Sequence, residues 1–243
     1  MLIAHDLGTT GNKATLVSND GKMLAAKTVN YGADWGTDGR AEQNPHDWWD
    51  AVCRASRELL AETNTAGTDI DGVSFSGQMM GVVPLDSHGE PVRPAIIWAD
   101  TRSTKETNTL LERVSMEDCY RITGHRLNPT YSLTKLMWLR ENEPDNFAKT
   151  ATFCLANDYT AFKLTGVLAT DPSDASSTNA YDQASGDWAW EIIDAAGLPY
   201  SLFPKIVPST HVIGTVTAEA ARATGLAEGT PVVIGGGDGP VAA

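Results

Sequence analysis

The sequence is short of positive charge. Lysine and arginine number 18 against 31 aspartates and glutamates, a formal net charge of −13 over 243 residues. That balance argues against broad nucleic-acid binding, which needs clustered cations on the phosphates, and against docking on anionic lipid. Cysteine is scarcer. Cys53, Cys119 and Cys154 stand far apart, which excludes a disulfide framework and leaves no pair with metal-ligand spacing. Each is expected to be a small buried residue in a reducing compartment. The five histidines, His5, His46, His88, His125 and His211, are equally scattered and read as surface or satisfied core. No basic segment followed by a long apolar stretch opens the chain, and no apolar run approaches the ~20 residues that span a bilayer. A cytoplasmic protein is expected. Internal repeats, low-complexity tracts and long linkers are also missing.

What is present is an ordinary globular composition, 42% hydrophobic and 20% charged, in a length that suits one large domain or two modest ones. The chain opens as an antiparallel meander. A short apolar strand at Leu2–Leu7 runs into the turn Gly8-Thr9-Thr10-Gly11, and strands follow at 13–18 and 23–29 around Asn19-Asp20-Gly21-Lys22, a hairpin signal. Asn44 and Pro45 then suit the cap and first position of a helix. Its buried stripe is Trp48, Trp49, Val52, Ala55, Ser56, Leu59 and Leu60. Strands are predicted at 71–76, and at 82–86 and 94–98 around Ser87-His88-Gly89. Helices are predicted at 103–114, 132–142, 158–164, 190–196 and 217–224, with Gly166, Gly197 and Gly225 at three of their ends. A last apolar strand, Val232-Val233-Ile234, enters Gly235-Gly236-Gly237-Asp238-Gly239. Pro240 stands where a helix would begin, so Pro240-Val241-Ala242-Ala243 is expected to be the first turn of a helix in a longer protein. The pattern is that of a mixed α/β domain.

Two segments carry candidate chemistry. In Asp6-Leu7-Gly8-Thr9-Thr10-Gly11 an acid ends a strand, and glycines and hydroxyls follow. Such a loop lets backbone N–H groups approach a phosphate, and its carboxylate can hold Mg²⁺ directly or through water. A plain β-turn with an Asp cap is the competing reading. In Gly235-Gly236-Gly237-Asp238-Gly239 an acid sits among glycines at a helix start. There it can stay ionised and take a proton from an alcohol attacking a phosphoryl group. A helix cap in a glycine-rich turn is the competing reading.

With both loops in view, the chain resembles the FGGY carbohydrate kinases of the actin/hexokinase/Hsp70 ATPase superfamily, and among them the branch that phosphorylates xylulose. The resemblance covers essentially all 243 residues. Beyond the two loops it rests on Ala41-Glu42-Gln43-Asn44-Pro45, Ser76-Gly77-Gln78-Met79-Met80-Gly81, Trp98-Ala99-Asp100-Thr101-Arg102, Ser132 to Trp138, Asp158-Tyr159 and Asp171-Pro172-Ser173-Asp174-Ala175. It implies a ribonuclease-H-like fold, a mixed sheet with helices on both faces, serving as the N-terminal sugar-binding domain, with a C-terminal nucleotide-binding domain outside this chain. It implies ATP and Mg²⁺ as cofactors and a small sugar or polyol as substrate, and a homodimer is an assembly it leaves open. Asp238 is implied as catalytic base, Asp6 as the carboxylate near Mg²⁺, and Gly8, Thr9, Thr10 and Gly237 as phosphate-binding positions. Gln78, Met79, Met80, Trp98, Asp100 and Arg102 are implied as substrate positions.

Each substrate position has a plainer alternative: Trp98 as core, Asp100 and Arg102 as a local ion pair, Met79 and Met80 as adaptable filler. Lys135, within a predicted helix, is read as solvated or ion-paired, and Trp48, Trp49, Trp188 and Trp190 as helix packing. One departure bears on the substrate. Relatives acting on xylulose typically read Gly-Gln-Met-His-Gly, and here Met80 replaces the histidine. A thioether donates no hydrogen bond to a sugar hydroxyl, so ribulose, gluconate and glycerol stand beside xylulose as acceptors. A catalytically silent sugar sensor and an actin-like scaffold are the readings from other classes.

Overall fold

In β1 (Leu2–Leu7) Ile3, His5 and Leu7 are buried while Leu2, Ala4 and Asp6 are exposed, the strict alternation of a strand with one face on the core. β2 (Gly11–Val17) and β3 (Met23–Asn30) complete the antiparallel meander. The predicted hairpin forms between them, with Ser18 N donating to Lys22 O at 2.9 Å and Gly21 at φ +84°. The computed structural model describes residues 1–242, and Ala243, the end of the predicted closing turn, lies outside the described residues.

Two very short strands, β4 (Asp34–Trp35) and β5 (Ala41–Gln43), lead to α1 (Pro45–Thr63). Asn44 caps it by accepting from His46 N at 3.2 Å, and the buried stripe of Trp48, Val52, Ala55 and Leu59 joins the sheet core. Trp49 is only half-buried. β6 (Gly72–Gly77) then lies parallel to β1, with Val73 and Phe75 buried.

The strands predicted around Ser87-His88-Gly89 form as β7 (Val83–Leu85) and β8 (Ala95–Ile96), shorter than expected. The turn closes, with Gly89 N donating to Asp86 O at 3.1 Å. Between the two strands run only isolated bridges such as Val82 to Ile96. β8 pairs instead with β5, and β7 with β9 (Thr152–Cys154). Every residue of β7 and β8 is buried, so alternation of polarity carries no signal about their partners.

The helical middle comprises α2 (Thr104–Leu111), α3 (Met116–Thr123), α4 (Ser132–Asn142), α5 (Pro144–Lys149), α6 (Ala156–Thr165) and α7 (Pro172–Ser176). After the small pair β10 (Tyr181–Asp182) and β11 (Asp187–Trp188) come α8 (Trp190–Ala196), β12 (Val212–Thr215), α9 (Ala218–Thr224), β13 (Pro231–Val233), β14 (Gly236–Gly237) and α10 (Asp238–Val241). The main sheet is mixed, in the order β12-β13-β6-β1-β2-β3, with β14 also on β6. One core fills the space between this sheet and α1, α6 and α9. A second gathers Leu110, Leu136, Phe153, Trp188 and Phe203. Trp188 belongs to a strand and not to a helix, and its indole donates to Pro204 O at 2.8 Å. All three cysteines are free and buried. Among the described residues no helix is long and apolar enough to cross a membrane.

His5 is satisfied core. Its ring stacks on Phe75, Asn12 Nδ2 meets Nδ1 at 3.1 Å, and Ser56 Oγ lies 3.3 Å from Nε2 while donating to Val52 O. These partners fix a neutral ring that accepts at Nδ1 and donates at Nε2. Burial pulls its pKa from 6.5 to about 4. The unfolded chain therefore binds the extra proton between those values, and stability falls as pH drops through that window, by about 3 kcal/mol in all. Asp158 and Asp174, raised by burial, titrate with the opposite sign. The His5 contribution is thus the difference between wild type and His5→Gln in urea denaturation. The variant should lose less stability than wild type between pH 7.5 and 5, and parallel losses would refute the assignment.

Candidate active site

Three adjacent strands bring the two aspartate loops together. Asp6 on β1 is in register with Ser76 on β6, and Ser76 with Gly236 on β14. At the usual strand spacing this puts the backbone of Asp6 about 10 Å from that of Gly236, and Asp238 follows two residues later at the start of α10. Ser76 Oγ donates to Asp6 Oδ1 at 3.4 Å. Asp6 and Asp238 are both exposed, so Asp238 is open to solvent and not enclosed by its glycines. On the other side of Asp6, Lys13 of β2 is its in-register partner and is also exposed. Cross-strand partners project to the same face, so a cation stands at the same mouth. Nothing in the sequence separated Lys13 from any other exposed strand lysine.

The Gly8–Gly11 turn is held from several sides. Gly8 N donates to Gly11 O at 3.0 Å and Tyr31 OH to Gly8 O at 2.6 Å. Gln43 Nε2 donates to Thr9 O at 2.7 Å, while its Oε1 accepts from Gln78 Nε2 at 2.8 Å and Trp48 Nε1 at 3.2 Å. Trp98 Nε1 donates to Thr9 Oγ1 at 2.9 Å. Trp98 is 44% exposed, which removes the reading of it as core. Gln78 is buried behind the turn, supporting it through Gln43. Gln43 is the hub of this network, and its only sequence signal was its place in the Ala41 to Pro45 motif. Thr10 is exposed at the tip.

The second loop rests on the Asp171 to Ala175 segment. Asp171 caps α7, accepting from Ser173 N and Asp174 N at 3.0 Å each. Ser173 Oγ accepts from Gly237 N at 2.9 Å, and Asn157 Nδ2 donates to Gly236 O at 2.8 Å and to Asp174 Oδ2 at 3.2 Å. Burial, reinforced by Asp158, Asp171 and Asp238, holds the Asp174 carboxyl well above the usual range. Gly237 is tightly packed, since a Cβ there would lie 2.5 Å from Met79 Sδ. Met79 therefore reaches the Asp238 loop.

Met80, half-buried, follows with a left-handed backbone at φ +63°. Lys135 is neither solvated nor ion-paired. It is 1% exposed, and its Nζ donates to Met80 O at 2.8 Å and to Thr130 O. Burial pulls its pKa down to about 7. Asp100 and Arg102 are engaged with each other and with β5: Asp100 Oδ2 accepts from Ala41 N at 2.9 Å and from Arg102 Nε at 2.9 Å. Arg102 also pairs with Glu42, which Arg93 shares, and its guanidinium lies 4.1 Å over the Trp138 ring. This network fixes the segment that carries Trp98, and the Asp100 carboxylate and the Arg102 guanidinium are turned to each other.

Asp6 has one long hydrogen bond from Ser76, leaving carboxylate lone pairs open to a cation. No group of three or more His, Cys, Asp or Glu among the described residues could hold a metal ion. The donor set fits Mg²⁺, which takes one or two carboxylates and completes its shell with water and phosphate oxygens.

The mixed sheet with its strand-end loops has the fold of sugar kinases of the actin/hexokinase/Hsp70 ATPase class. Residues 1–243 match the N-terminal domain of the FGGY family of carbohydrate kinases, and the chain belongs to that family. It is 37% identical over 237 residues to the xylulose kinase of Bacillus subtilis (strain 168), covering 98% of this chain and 47% of that protein. The crystal structure of xylulose kinase from Rhodospirillum rubrum superposes with a TM-score of 0.90 at 33% identity, over 97% of this chain and 48% of that one. Gluconate kinase from Lactobacillus acidophilus superposes with a TM-score of 0.92 at 28% identity, over 99% and 48%. The chain thus spans about half the length of the relatives it matches.

Proposed function

We propose that the chain is the N-terminal, sugar-binding part of an ATP-dependent kinase that phosphorylates a primary hydroxyl of a ketose or polyol, with a second domain holding most of the nucleotide. D-Xylulose, giving D-xylulose 5-phosphate, is the first acceptor in this reading. Gluconate, ribulose and glycerol stand behind it because Met80 offers a thioether where an imidazole would donate. The observation that carries the reading is the register of Asp6, Ser76 and Gly236 on three neighbouring strands.

Asp238 accepts the hydroxyl proton as the acceptor oxygen bonds to the γ-phosphorus and the bond from that phosphorus to the bridging oxygen breaks, releasing ADP. Asp6 would hold Mg²⁺, directly or through water, and the ion would supply positive charge to offset that on the phosphate oxygens. Thr9 and Thr10 offer hydroxyl contacts, Gly8 and Gly237, whose own N–H groups are engaged by Gly11 O and Ser173 Oγ, add no side-chain bulk beside them, and Lys13 adds positive charge. Met79, Met80 and Trp98 face the acceptor, while Gln78, Asp100 and Arg102 hold those groups in place. Positioning and charge, with no covalent intermediate, suffice for this reaction.

Coupled ADP-release assays of the intact protein with xylulose, ribulose, gluconate and glycerol test the reading. At least one acceptor should raise ADP release well above the rate with water, and the purified 243-residue chain alone should show little activity. An intact, folded protein that releases no ADP in response to any acceptor would end the kinase reading. Robust phosphorylation by the isolated chain would end the division of labour.

A further inference from the structure

We propose that Lys135 and Ser177 are positioning residues that lock the Met80 peptide in the shape that receives the phosphoryl acceptor, and so set acceptor affinity without touching the nucleotide. This rests on the kinase reading above. Three non-glycine residues among those described have positive φ: Asn64, Asn179 and Met80. Asparagine tolerates that region. A methionine there costs about 1 kcal/mol or more and persists only where its surroundings over-determine it.

At Met80 they do. Its amide donates to Ser177 Oγ at 3.0 Å, and that hydroxyl in turn donates to Asp174 O at 2.7 Å. Its carbonyl accepts from Lys135 at 2.8 Å, and the next carbonyl, Gly81 O, accepts from Ser132 Oγ at 2.8 Å. The first turn of α4 thus aims two donors, three residues apart, at two successive carbonyls. Lys135 also bonds Thr130 O, and Thr130 Oγ1 lies 4.0 Å from Met80 Sδ. One side chain ties the 79–81 and 128–131 segments into a single wall.

An aliphatic side chain would fill the same volume without the penalty of burying an ammonium. The residue has value for what its donors hold. Met79, next to the locked peptide, packs on Gly237, so a shift at Met80 moves the wall facing Asp238, while the Thr9 turn keeps its own bonds from Tyr31, Gln43 and Trp98.

The test uses the intact protein and the acceptor that supports ADP release. Lys135→Met keeps the linear stem and removes the donors. It should raise acceptor KM about tenfold or more, the worth of a hydrogen bond from a charged donor, with kcat within about threefold and the KM for ATP unchanged. Ser177→Ala should act in the same direction by severalfold. A role in folding alone would lower the melting temperature without this split between the two KM values. Acceptor KM unchanged in folded Lys135→Met, or an equal rise in the KM for ATP, overturns the proposal. If Lys135→Met does not fold, Ser177→Ala decides alone by the same criterion. A wild type inactive with every acceptor refutes the kinase reading instead, and the proposal falls with it.

Discussion

Asp238→Asn should lower turnover by about 10²- to 10⁴-fold, the usual contribution of a positioned general base, with acceptor KM changed by only a few-fold. The substitution is nearly isosteric. Asp238 is exposed and begins α10, and its Oδ1 accepts from Gly239 N at 2.8 Å. An asparagine oxygen keeps that bond, so the loop retains its shape. What is lost is the capacity to take the hydroxyl proton. Steady-state ADP release across acceptor and ATP concentrations separates the two quantities. Near-normal turnover removes Asp238 from the mechanism, and a loss confined to acceptor KM makes it a binding residue.

Gly235→Ala should be as damaging by a different route. Gly235 has φ +76°, and a Cβ there would lie 1.8 Å from the carbonyl oxygen of Phe75. That obstacle is backbone of β6, the strand that carries Ser76 between the two acids, and it cannot rotate away. We expect a loss of more than about 3 kcal/mol, or failure to fold. Gly21→Ala is the control. Gly21 has φ +84°, and nothing lies within 4 Å of its missing Cβ, so only the backbone term of about 1–2 kcal/mol applies. Denaturant unfolding of both variants reads the contrast, and equal losses would show that close approach to β6 is not what Gly235 provides.

Much of the scaffold was legible because local chemistry and global structure agree. Asn44, Pro45 and the Trp48 to Leu60 stripe give α1, and the Asp20-Gly21 turn gives the hairpin. Elements fixed by tertiary context were not: β5, β9 and β14 are two or three residues long and buried but for Thr152 of β9, and α7 is a single turn held by its Asp171 cap. At the site, Asp6 and Asp238 stood out by their glycine-rich loops. Gln43, Asn157 and Ser173 did not, since each acts through hydrogen bonds to groups far away in the sequence, Thr9 O, Gly236 O and Gly237 N. Lys135 was misread for a plain reason. Most helix lysines reach water, and only the three-dimensional packing shows two carbonyls where a counter-ion was expected.

β6 lies between the first strand of the chain and one of the last. During synthesis, Asp6 therefore leaves the ribosome with no partner loop to face, and it waits through more than nine-tenths of the chain. The register that sets Asp6, Ser76 and Gly236 side by side cannot form until those last residues have emerged. Such distant pairing is slow to form, and until β13 and β14 arrive one flank of β6 is an unpaired strand edge.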